Sequence, residues 1–134
     1  MQRESLQEAR EWLDRAEHDL QTVTLALQAS QALPDIAAYH AQQAAEKALK
    51  SFLAAHNHPI PQVHALVPLV AACQAIVPDF SRFQGAAQTL TPYAVRFRYP
   101  PGPLEPPLSD AREAQELATE IVQFVRQRLF GQGS

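Results

Sequence analysis

Side chains that bind or move phosphate-bearing groups are concentrated in two short runs of this 134-residue chain. In "YAVRFRY", Arg96 and Arg98 stand between Tyr93 and Tyr99; in "YHAQQAAEKALK", His40, Gln43, Glu46, Lys47 and Lys50 follow one another closely. Guanidinium groups grip phosphate through paired hydrogen bonds, and tyrosines offer stacking faces and hydroxyls. The first run therefore has two readings. Either it forms an anion site, or Arg98 and Tyr99 pin the proline-rich loop that follows while Arg96 is surface. In the second run, spacings of three and four stack His40, Gln43, Lys47 and Lys50 along one stripe of a helix, with Glu46 one turn from Lys50. Lys47 and Lys50 either add two cations to the arginine cleft or lie on a solvated face.

The remaining chemistry-bearing residues are sparse. His56, His58 and His64 are close in "HNHPIPQVH", but no cysteine or carboxylate lies among them, so they read as loop histidines, with His64 capping the next helix. No metal or cofactor is expected. Cys73 sits among Val70, Ala71, Ala72 and Ile76 and reads as a buried, inert thiol. Trp12 borders an apolar seam and reads as core or interface. Gly-rich phosphate loops, Ser-His-Asp arrangements and paired cysteines are missing from the sequence.

Composition bounds the rest. A length of 134 residues, 46% hydrophobic, suits a single domain over residues 1–134. A net charge of -3 argues against a generally basic nucleic-acid binder. Locally the balance reverses: between Asp35 and Pro100, Lys47, Lys50, Arg82, Arg96 and Arg98 face only Asp35, Glu46 and Asp79. The charged N-terminus and the lack of any apolar run near 20 residues predict a cytoplasmic protein with no membrane span.

The elements that position these residues are helical. Leu6, Ala9, Leu13, Ala16, Leu20, Val23 and Leu27 alternate spacings of three and four, predicting an amphipathic helix from Ser5 to about Ala29, with Ser5 and Glu8 as a capping box. A second helix begins near Pro34 or Asp35 and runs to about Ala55, with Ala41, Ala45, Ala48, Leu49 and Phe52 beside the polar stripe. A shorter helix is expected over about 64–76 and another over about 81–97, the latter kinked or split by Pro92. Residues 99–108 hold a Pro-rich loop, and a last helix from Ser109 or Asp110 ends at "GQGS". The sum is an all-α up-and-down bundle of four main helices plus a short fifth.

Three segments, "YHAQQAAEKALKSFL", "HALVPLV" and "LTPYAVRFRYP", in this order and spacing, resemble the HEPN family of small helical domains from about Ala9 to Leu129. The resemblance implies a homodimer, often paired with a minimal nucleotidyltransferase. It also implies, for some members, metal-independent ribonuclease activity of a toxin. Those ribonucleases carry an Arg followed four to six residues later by a His. Here no His occurs after His64, and Arg10 precedes His18 by eight residues. Metal-free RNA cleavage needs proton-transfer groups as well as a cation, and Arg supplies only the cation. His40, His64, Tyr93 or Glu46 would have to be recruited.

Two function classes follow. The first is a nucleotide- or partner-binding module of a nucleotidyltransferase-associated, toxin-antitoxin-like system, its ligand held by Lys47, Lys50, Tyr93, Arg96, Arg98 and Tyr99 in a cleft bordered by His40, Gln43, Glu46 and His64. The alternative is a divergent metal-independent ribonuclease toxin. The missing proton donor favours the first.

Overall fold

The computed structural model describes residues 2–131. It consists of α1 (Arg3–Gln28), α2 (Pro34–Ala55), α3 (Leu66–Ile76), α4 (Gln84–Leu90) and α5 (Leu108–Phe130), with 3-10 turns at Pro78–Phe83 and Thr91–Ala94. Among the described residues there is no strand, as the helical periodicity implied.

α2 is the central element. Ala37, Ala38, Ala41, Ala44, Ala45 and Ala48 are all buried, so the helix backbone admits close neighbours on several sides. α1 packs antiparallel against it: the Ser51 hydroxyl donates to the Ala9 carbonyl at 2.6 Å at one end, and His40 meets Asp19 nearer the other. α5 runs antiparallel to α1, since Gln115 donates to Thr24 Oγ1 near α1's C-terminal end and Arg126 pairs with Glu17 farther back. The lower half of α2 closes on an aromatic cluster in which Phe52 meets Phe80 at 4.6 Å and Phe80 meets Phe124 at 5.0 Å. Cys73 is fully buried in this core, as expected, and burial pushes its thiol up to about 12.

Local details depart from the sequence reading. α1 opens at Gln2 without a side-chain cap, and Ser5 is buried within the helix, so Ser5 and Glu8 form no capping box. The buried line of α1 is Ser5, Ala9, Leu13, Ala16, Asp19, Val23 and Ala26, while Leu6, Leu20 and Leu27 lie at its edge. The buried line keeps the expected spacing of threes and fours but is displaced by one residue at 5, 19 and 26, which places Asp19 on the packed side. α3 begins at Leu66 with Ala65 at its N-cap, so His64 does not cap it. Instead Thr91 Oγ1 accepts the Leu66 N–H at 3.0 Å. The helix expected over 81–97 is broken into α4 between two 3-10 turns, with Pro78 and Pro92 each in the first turn of one.

The ends of the long helices follow simple stereochemistry. α2 stops where Asn57 turns left-handed at φ 52°, a conformation asparagine tolerates. α5 begins at Leu108, directly after the prolines, and ends at Gly131 with φ 74°. The rest of "GQGS", residues 132–134, lies outside the described residues.

Candidate functional site

The polar stripe of α2 is not plain solvent surface. Asp19 of α1, 6% exposed, reaches across the hairpin and accepts two hydrogen bonds, from His40 Nδ1 at 2.9 Å and from Lys47 Nζ at 2.7 Å. On α2 itself, Glu46, 4% exposed, repeats the pattern: His64 Nδ1 lies 3.2 Å from Oε1 and Lys50 Nζ donates to Oε2 at 2.9 Å. Each buried carboxylate thus carries one histidine and one lysine on separate oxygens. An ionised carboxylate only accepts, so each histidine holds a proton on Nδ1 and leaves Nε2 for an outside partner. Neither Nε2 has a hydrogen bond among the described residues.

Gln42, fully buried, braces the second unit. Its amide donates to Glu46 Oε1 at 3.3 Å and to the His64 carbonyl at 2.8 Å, while its own oxygen accepts from Gln43 at 2.8 Å. The α2–α3 connection is thereby tied to α2 at His64, whose side chain is 76% exposed. Buried carboxylates thus stand behind cations whose side-chain exposure runs from 11% at Lys50 to 76% at His64.

Each end of the row has a cation on an aromatic face. The Arg98 guanidinium sits 3.9 Å from the Tyr39 ring, and Tyr39 meets His40 edge-on at 5.2 Å. At the other end Lys50 Nζ lies 5.6 Å from the Trp12 ring. Trp12 also borders a surface recess of about 250 Å³ with Glu8, Glu11 and Arg15.

The sequence-selected residues fall into two groups. His40, Gln43, Glu46, Lys47, Lys50 and His64 share the row, and Arg98 joins it through Tyr39. Arg96 and Tyr99 line a separate cavity of about 620 Å³ under the proline-rich loop, together with Phe97, Glu105 and Asp110. Tyr93 is buried against Phe97, ring centroids 6.3 Å apart. Burial raises its phenol above the usual range, reinforced by the carboxylates of Asp110 and Glu113 and opposed by Arg96. The residue that divides the arginines is Phe97, whose left-handed backbone at φ 71° separates the Arg96 side from the Arg98 side.

Asp19, Gln42 and Tyr39 were not singled out by sequence reasoning. Asp19 does carry a signal: it lies three residues after Ala16 and four before Val23, a carboxylate at a seam position. Gln42 likewise interrupts the small-residue face between Ala38 and Ala45. His56, by contrast, stands apart from the row, its ring 4.4 Å from Phe52 and its pKa lowered chiefly by burial. Among the described residues no group of three or more metal-ligating side chains converges, and no helix is long and apolar enough to cross a membrane.

An all-α fold with a charged row on its central helix defines a small helical module. The HEPN domain model matches residues 9–128 of the chain, and the chain belongs to the HEPN domain family. No match is found among curated proteins or among solved structures.

Proposed function

We propose that the chain is a nucleotide- or RNA-binding module whose ligand lies along the open row of α2, between the Arg98–Tyr39 pair and the Lys50–Trp12 pair. The observation that carries the reading is the row itself: lysines and histidines at its surface, fixed by the buried carboxylates of Asp19 and Glu46, with an aromatic ring at each end. Aromatic faces accept bases of any sequence, and partly exposed cations meet phosphate. The wider setting we propose, a cytoplasmic homodimer working with a small nucleotidyltransferase in a toxin-antitoxin-like pair, is carried by the sequence resemblance alone. The test is titration of a fluorescein-labelled oligoribonucleotide, and separately of ATP, monitored by anisotropy and calorimetry. Arg98→Ala is expected to weaken binding at least tenfold with an unchanged far-UV circular dichroism spectrum. Full affinity in that variant removes Arg98 from the site, and loss of helical signal makes it an anchor for the loop.

A second reading, metal-independent RNA cleavage, is favoured by one specific observation: His40 and His64 each have Nδ1 fixed on a carboxylate and Nε2 unengaged, the arrangement a proton-transfer group requires. Incubation of labelled RNA with the protein in EDTA separates the two. Cleavage that vanishes in His40→Gln or His64→Gln establishes the ribonuclease; intact RNA leaves the binding module.

A further inference from the structure

The row holds the same three-residue unit twice. Asp19 with His40 and Lys47 forms the first; Glu46 with His64 and Lys50 forms the second. The lysines of the two units, Lys47 and Lys50, stand three residues apart on α2, a rise of roughly 4.5 Å at 1.5 Å per residue, so their side chains can serve neighbouring phosphates of one strand.

Charge decides when such units accept phosphate. With both histidines neutral, each unit contains one carboxylate and one ammonium and has no net charge. Protonation of a histidine makes its unit +1 and converts Nε2 from an acceptor into a donor aimed at a ligand. The groups facing His40 are Asp19 from α1, Lys47 on α2, and Tyr39 with Arg98 beyond it. Those facing His64 are Glu46 and Lys50 on α2, with Trp12 of α1 beyond Lys50.

Resting on the binding reading above, we infer that the row contains two phosphate subsites in series that take consecutive phosphates of a single-stranded oligonucleotide, and that protonation of His40 and His64 switches them on. Binding is therefore stronger in mild acid. It also gains about two phosphate contacts as the pH falls, because each subsite acquires its net positive charge only then.

The experiment measures the affinity of the full chain for a fluorescein-labelled oligouridylate of five nucleotides between pH 5.5 and 8.5, over a series of salt concentrations at each pH. At least a tenfold gain is expected at pH 5.5. The slope of log K against log salt should be steeper there by about 1.4, given about 0.7 per phosphate for single strands. His40→Gln and His64→Gln should each remove about half of the slope change, and the double variant all of it. Affinity that does not change with pH overturns the two-subsite inference and leaves the binding reading standing. Pronounced pH dependence that survives in the double variant assigns it to other groups and also overturns the inference. No binding at any pH by chain that circular dichroism shows to be folded overturns both.

Discussion

Replacing Asp19 by Asn keeps the shape of the side chain and removes its charge. Two donors converge on this carboxylate, His40 Nδ1 and Lys47 Nζ, on separate oxygens. An asparagine has one carbonyl oxygen and one amide nitrogen, so it satisfies one donor and turns an N–H group toward the other. One charge-assisted hydrogen bond is lost outright, worth about 1.5–3 kcal/mol. The side chains of Lys47 and His40 are 25% and 30% exposed, so water recovers part of that loss, and about 2 kcal/mol remains. For a domain of this length the melting temperature should fall by about 6 °C. Urea unfolding followed at 222 nm gives the free energy, and a double-mutant cycle with Lys47→Met isolates the pair. A coupling near 1 kcal/mol is expected. A coupling below about 0.3 kcal/mol, with native helicity in all variants, refutes the claim that Asp19 organises the row.

Two further predictions concern the frame around the site. Phe97→Gly and Phe97→Ala both lose the ring that packs on Tyr93, yet only glycine adopts φ 71° freely. The Gly variant should therefore exceed the Ala variant in stability by about 1 kcal/mol in urea unfolding, and equal midpoints would show that the left-handed turn is not held in solution. Cys73 should not react with a chromogenic disulfide reagent at pH 8 in the folded protein and should react fully in urea, because burial keeps its thiol protonated to about pH 12. The sign for stability follows from the raised folded value. The contribution is complete below the ordinary value of 9.0 and is lost as the pH rises toward 12, since only the unfolded thiol ionises there. Comparison of urea midpoints at pH 8 and 10.5 should show a larger loss for the wild type than for Cys73→Ala.

Much of the architecture is written locally. The three-and-four spacing of α1, the alanine-rich composition of α2 and the periodic Ala111, Ala114, Leu117, Ala118, Ile121, Val122, Val125 and Leu129 of α5 are properties of consecutive residues; on α5 all of these are buried except Leu117 and Leu129, which pack partly buried at the edge of the core. The breaking of the segment around Pro92 was legible for the same reason, since a missing amide acts on its own helix. The capping box at Ser5 failed because a serine and a glutamate three apart also occur inside helices, and α1 already begins at Arg3, two residues before Ser5. His64 was misplaced as a cap because its partner, Glu46, is 18 residues away.

The site divides along the same line. The sequence by itself determined that His40, Gln43, Lys47 and Lys50 share one stripe, because helical geometry fixes which side chains stack, and it determined that an arginine and tyrosine run precedes a proline-rich loop. It did not determine which side chains neutralise the lysines, that Arg96 and Arg98 part company at Phe97, or that Tyr39 receives Arg98. Those depend on where α1 crosses α2 and on the backbone sign at one residue. Hydrogen bonds and ion pairs act over a few ångströms in space without regard to separation along the chain, so Asp19 and Lys47, 28 positions apart, become partners only when the hairpin closes.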